Sequence, residues 1–293
     1  MSQAVARRGA AGTAAAPALA VAAGWPVARR LGLGAVRPGG AAMTERLFEG
    51  VGLGEGDRVV DLAPGHGITG AEAGRRNLRA WTGVCADAAQ AGAVRRRVRG
   101  FDRTCVVAGP DRTGLEPARA TVVMAEGLLT GVSDPRKRAI VEEALRITRP
   151  GGRIGFHELC VLPGGWDQPG WAEIRAAIGP AVAGGVRVLD ETGWRALMEA
   201  NGLRVTGTSL GPLALPDLMS LVRTEGAKDA GRVLQRFMQP GRAAGRARAA
   251  LYGLQTHADR LASIVIVAER PVVSRVHRRG AERVLRALTD TAG

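Results

Sequence analysis

Aromatic side chains are scarce in this chain of 293 residues: they make up 3% of it, with a single tyrosine. Proteins that hold single-stranded nucleic acid by base stacking need several aromatic platforms, so the scarcity argues against that class of partner. The three cysteines (Cys85, Cys105, Cys160) and four histidines never stand in a C-x-x-C or H-x-x-x-H spacing. Neither a disulfide scaffold nor a zinc site is therefore expected, and no metal site is assigned. No apolar run reaches the roughly 18 residues of a membrane-spanning helix. Lysine occurs only at Lys137 and Lys228, which leaves arginine to carry the positive charge.

What is present is a globular composition, 46% hydrophobic and 23% charged, in a chain long enough for one large domain or two small ones. The net charge of +14 is concentrated at the ends. Residues 1–40 carry +5 and residues 231–293 carry +8, while the stretch between them is within one charge of neutrality. Such a field can draw in an anionic membrane or nucleic acid. With so few aromatics, the expectation is at most a weak membrane contact through the basic tails and no nucleic-acid partner. A GC-rich coding sequence is the simpler origin of an Arg- and Ala-heavy chain. Residues 1–24 are Ala/Gly-rich and read as a disordered tail. Arg7 and Arg8 ahead of an Ala-rich stretch faintly resemble a signal peptide, but Gly12, Thr13 and Pro17 interrupt it. A cytoplasmic location is expected.

From Trp25 onward the chain alternates. Helical spacing predicts a helix over Ala41–Val51, and the short apolar run Arg58–Leu62, bounded by turn residues, predicts a buried strand. Further strands are expected at Ala80–Cys85, Thr104–Ala108, Ala120–Met124, Arg153–Val161, Arg204–Leu210 and Leu261–Ala268. Helices are expected at Gly67–Asn77, Ala88–Arg99, Pro135–Ile147, about 170–183 and Glu191–Ala200. A helical insertion follows at about 216–258, and residues 271–293 read as a basic helical tail. Near-continuous apolar strands alternating with helices indicate an α/β fold, a mostly parallel Rossmann-like sheet covered on both faces.

The most informative segment is Val59–Gly70, in which Gly65, Gly67 and Gly70 stand in G-x-G-x-x-G spacing between a strand and a helix. Glycines there let the backbone approach a ligand, and the helix N-terminus offers free N–H groups. The pattern alone also fits dinucleotide folds. Asp61, four residues before the first glycine, shifts the balance. A carboxylate beside a pyrophosphate repels it, whereas beside a ligand with an ammonium and a sulfonium it attracts. S-adenosylmethionine is thereby favoured over NAD.

At this point the chain resembles the class I S-adenosylmethionine-dependent methyltransferases, in their small-molecule, ubiquinone/menaquinone-methyltransferase-like branch. The residues that carry the likeness are VVDLAPGHG at 59–67, WTGVCAD at 81–87, ATVVMAEGLLTGVSD at 120–134, ALRITRPGGRIGFHEL at 144–159 and GWRALMEANGLRV at 193–205. The resemblance implies a seven-stranded sheet over residues 25–270 whose last strand is antiparallel. It also implies methyl transfer to a small-molecule or lipid-like acceptor. Asp61, Leu62, Ala63, Gly65, His66 and Gly67 then stand at the cofactor's methionine end, with Glu126 beside it and Asp111 near the adenine. One position departs from the pattern: Cys85 stands where the family has a ribose-binding acid, and a thiol is a poor bidentate acceptor. Asp87, two residues on, is the substitute expected from strand alternation. If neither serves, the alternative is a non-catalytic ligand-binding or interaction protein on a degenerate methyltransferase fold. Glu126 and His157, at the ends of two strands, are the catalytic candidates. Glu158 is expected to face away from His157, because adjacent strand residues point to opposite sides.

Overall fold

The computed structural model describes residues 28, 31–34, 36–100, 102–163, 171–179, 187–214 and 218–272. The expected tail at 1–24 and all but the first two residues of the expected C-terminal helix lie outside them. The elements run α1 (Gly40–Gly50), β1 (Arg58–Asp61), α2 (Ile68–Ala73), β2 (Ala80–Cys85), α3 (Ala88–Arg97), β3 (Asp102–Val107), β4 (Ala120–Glu126), α4 (Asp134–Ile147) and β5 (Thr148–Val161). They continue with α5 (Trp171–Ile178), α6 (Glu191–Ala200), β6 (Arg204–Gly211), α7 (Leu218–Glu225), α8 (Ala227–Met238), α9 (Arg242–Thr256) and β7 (Leu261–Glu269).

The strands form one seven-stranded sheet in the order β3-β2-β1-β4-β5-β7-β6. The pairs from β3 to β5 are parallel, and β7 runs antiparallel between β5 and β6. The expected strand at Arg153–Val161 starts five residues earlier, because Thr148 already pairs with Ala120 across a register shift. α1 and α3 cover one face, packing Met43, Leu47, Phe48, Ala91 and Val94 on Val59, Trp81, Val122 and Met124. α4 and α6 cover the other, with Ile140, Val141, Ala144, Trp194 and Met198 on Val60, Val123, Ile154 and Phe156. Apolar residues on both sides of the strands are what a doubly covered sheet demands. No helix lies between β3 and β4, where residues 108–119 run as a loop.

The strand order reverses between β1 and β4, and open α/β sheets take ligands beyond the carboxyl ends of the strands at such a point. Register then decides which side chains meet there. Asp61 pairs with Met124, and Glu126, two residues beyond Met124, pairs with His157. Asp61, Glu126 and His157 therefore share one face of the sheet, because alternate strand residues point the same way.

Candidate functional site

The glycine loop follows β1. Gly65 and Gly67 have φ of 52° and 86°, in the left-handed region that favours glycine. Gly67 also caps α2. The third glycine serves packing instead. A Cβ on Gly70 would come within 2.7 Å of Trp81, so Gly70 lets α2 lie close on β2. Leu62 donates its N–H to the Met124 carbonyl at 2.9 Å, which continues the pairing of β1 with β4. Asp61 is fully buried, and its Oδ1 accepts the Ala63 N–H at 3.0 Å. Its Oδ2 is buried with no hydrogen-bond partner. Burial pushes this carboxyl up to about 7, against the lowering effect of the Ala63 N–H. His66 contributes its backbone: its N–H donates to the Gly34 carbonyl at 2.6 Å. Burial holds the His66 imidazole below its ordinary range.

Glu126 is the hub of a buried polar network. Its Oε1 accepts the Thr44 hydroxyl at 2.6 Å and contacts Nδ1 of His157 at 2.8 Å. Its Oε2 accepts the Thr69 hydroxyl at 2.5 Å and lies 3.4 Å from Nε of Arg37. Burial opposes the charge on this carboxylate, but Arg37 and the His157 hydrogen bond outweigh it and bring the group down to about 2. The guanidinium of Arg37 also grips Glu72 at 2.7 Å and Thr69 at 3.0 Å.

Nε2 of His157 accepts the Gly39 N–H at 2.9 Å. That nitrogen therefore carries no proton, Nδ1 holds it, and Nδ1–H donates to Glu126. The network thus assigns a neutral imidazole in one tautomer. Glu158 faces the opposite side, as alternation requires. It accepts the N–H groups of Leu128, Leu129 and Thr130 and the Thr130 hydroxyl, which ties down the loop after β4.

At the end of β2, Cys85 and Asp87 both have neighbours within the chain. Cys85 is fully buried in the hydrophobic cluster with Trp81, Val94, Val98 and Cys105. Burial and the neighbouring Cys105 raise its thiol well above the usual range. Strand β2 ends at Cys85, so strand alternation does not extend to Asp87. Asp87 instead caps α3, accepting the Gln90 N–H at 2.8 Å. Gln90 was missed by sequence reasoning, yet it bridges the two halves of the site. Its Oε1 accepts the Ala86 N–H at 2.7 Å, and its Nε2 donates to the Gly65 carbonyl at 2.9 Å. Asp111 lies in the loop after β3, 3.3 Å from Arg136.

Sequence reasoning also missed residues 31–34 and 36–39, here called the strap, which lie over the carboxyl ends of the strands. Gly34 bonds to His66, Val36 packs on Gly127, and Gly39 bonds to His157. The Gly34 N–H donates to Glu225 at the end of α7 at 2.7 Å, and Arg97 of α3 lies 3.6 Å from the same carboxylate. Leu31 packs with Ala247 and Phe237 of the insertion. Among the described residues no cluster of metal-binding side chains occurs, and no helix is long and apolar enough to cross a membrane.

No family model and no curated protein matches the chain. Solved structures do. The mycolic acid cyclopropane synthase CmaA1, complexed with SAH and CTAB, aligns with a TM-score of 0.62 at 18% identity, over 78% of this chain and 83% of that one. Geranyl diphosphate C-methyltransferase from Streptomyces coelicolor A3(2), in complex with Mg2+, geranyl diphosphate and S-adenosyl-L-homocysteine, aligns with a TM-score of 0.54 at 20% identity, over 78% and 77%. The fold is that of the class I S-adenosylmethionine-dependent methyltransferases. The [4+2]-cyclase SpnF shares this methyltransferase fold as well, with a TM-score of 0.58 at 18% identity over 79% of this chain and 81% of that one.

Proposed function

We propose that the chain is an S-adenosylmethionine-dependent methyltransferase acting on a small-molecule or lipid-like acceptor. The observation that carries this reading is Asp61 Oδ2, a buried and unpartnered carboxylate oxygen next to a loop whose glycines occupy left-handed conformations. An unmade hydrogen bond on a buried carboxylate is costly. An ammonium group on a ligand would satisfy it, whereas a pyrophosphate would not. In this reading Asp61, Leu62, Ala63, Gly65, His66 and Gly67 hold the methionine end of the cofactor, Glu126 stands beside it, and Asp111 is near the adenine. Cys85 does not fit a ribose-gripping role, because its thiol is turned into the core. When bound, the cofactor supplies an electrophilic methyl group on a sulfonium.

The chain itself contributes alignment, exclusion of water and proton management. Glu126 keeps the proton of His157 on Nδ1, which leaves Nε2 basic and aimed at the strap amide of Gly39. An acceptor X–H that replaces the Gly39 N–H meets a nitrogen able to take its proton. The three free and buried thiols suit a reducing, cytoplasmic compartment.

The test is calorimetry of the full chain with S-adenosylmethionine, S-adenosylhomocysteine and, as control, NAD, between pH 5 and 8. Asp61 starts near 7, and an ammonium ligand needs it charged. Affinity for S-adenosylmethionine is therefore expected to rise with pH up to about 7, by up to about tenfold per pH unit, and then level off. Asp61→Asn is expected to flatten the profile and weaken binding. Binding of NAD alone, or of neither adenosyl ligand, would overturn the reading. Absent adenosyl binding would favour a ligand-binding or interaction role on the same fold.

A further inference from the structure

On the opposite edge of the sheet, at the amino ends of β1, β2 and β3, lies a cavity of about 320 Å³. It is remote from the glycine loop, which sits at the carboxyl ends. Arg58, Val60, Ala80, Thr82 and Asp102 line it, and they belong to one face of three neighbouring strands. Arg79 and Arg119 close its sides. The cavity lies on the face where the chain passes from β3 to β4 as a loop without a helix.

Its charge is one-sided, with three arginines and one aspartate in its lining. Arg58, Arg79 and Arg119 are exposed and have no carboxylate within ion-pair distance among the described residues, and all three line this one cavity. The nearby Asp57 is taken by Arg153 and by the Thr121 hydroxyl. Asp102 stands on β3, at the far side from Arg119, which precedes β4 three strands away. Three guanidiniums against one carboxylate leave an excess of positive charge around a partly apolar surface concavity.

We propose that this cavity is a second ligand site, taking a small phosphorylated molecule. Guanidinium forks match phosphoryl oxygens in bidentate geometry. The volume is at the lower end of small-molecule sites, the size of one phosphorylated metabolite and not of a polymer. The basic terminal segments of the chain have the wrong sign to occupy it. The site is independent of the methyltransferase reading and is tested without the cofactor.

The probe is sodium pyrophosphate, titrated by calorimetry into the full chain at low ionic strength, beside Arg58→Ala, Arg119→Ala and Arg103→Ala. Arg103 has the same charge and lies exposed on the same strand as Asp102, but on the opposite face. Arg58→Ala and Arg119→Ala are each expected to weaken binding at least about tenfold, Arg58→Lys to restore part of it, and Arg103→Ala to leave it within about twofold. None of these arginines holds an ion pair among the described residues, so thermal melts of the variants are expected to overlay the wild type. No pyrophosphate binding by the wild type would overturn the proposal. So would equal losses in all three alanine variants, since the chain's general basic field would then explain the binding. A single-stranded oligonucleotide that binds more tightly through the same arginines would replace the proposed ligand by nucleic acid.

Discussion

Asp61 and Glu126 are two carboxyl groups on one sheet face, driven in opposite directions. Asp61 has one backbone N–H for a partner, and burial raises it to about 7; Glu126 has Arg37, His157 and two hydroxyls, and falls to about 2. Between pH 4 and 7 the folded state holds a proton on Asp61 that the unfolded chain has released, so Asp61 makes stability fall as pH rises through that window. Three pH units at roughly 1.4 kcal/mol each bound the effect at on the order of 4 kcal/mol. Glu126 acts with the other sign: its contribution is present above about 4.5 and is lost as pH falls toward about 2. Urea melts across pH 4–7 are expected to show the decline in the wild type and not in Asp61→Asn; a decline of equal size in the variant would refute the assignment. His157 gives the matching kinetic prediction. His157→Ala is expected to lower kcat by about 10²-fold or more once an acceptor is found, with little change in cofactor binding. An unchanged kcat would reduce His157 to an anchor for the strap.

Helix termini and strand ends supply the site's precision, and here the sequence is informative to different degrees. At Asp87 strand alternation has no strand to act on, because β2 stops at Cys85, and the carboxylate caps α3. Asp87→Ala is expected to cost about 1 kcal/mol in a urea melt and to change S-adenosylmethionine affinity by less than about threefold; a loss of tenfold or more would restore the ribose role. The sheet is legible because each strand is a short apolar run between turn residues, and β2 and α6 fall on their expected residues. The three glycines are legible as a motif, though only the structure separates the two that bend the backbone from Gly70, which makes room for Trp81. Arg37, Thr44 and Gln90 are not legible. Their partners Glu126 and Gly65 are distant along the chain, and no periodicity connects a strap arginine to a strand-end carboxylate.

Across the whole molecule, the strap binds the insertion, α3 and the sheet into one closure over the glycine loop. Glu225 is the clasp, accepting the Gly34 N–H and facing Arg97. Glu225→Gln keeps an acceptor for Gly34 but removes the charge that meets Arg97. Hydrogen exchange at the Gly34 and Gly39 amides is expected to quicken by about tenfold while the amides of β4 and β5 keep their protection; uniform acceleration would mean that the clasp supports the entire fold rather than the strap. The position of β7 has a consequence of its own. It enters the sheet between β5 and β6, making the pairs Gly155–Val267 and Thr208–Ile266. During synthesis the chain emerges from its N-terminus, so both of those neighbours leave the ribosome before the strand that joins them. A nascent chain that has not reached Leu261 carries two unpaired strand edges, one of them on the apolar β5, and this interval is when it is most exposed to pairing with another chain.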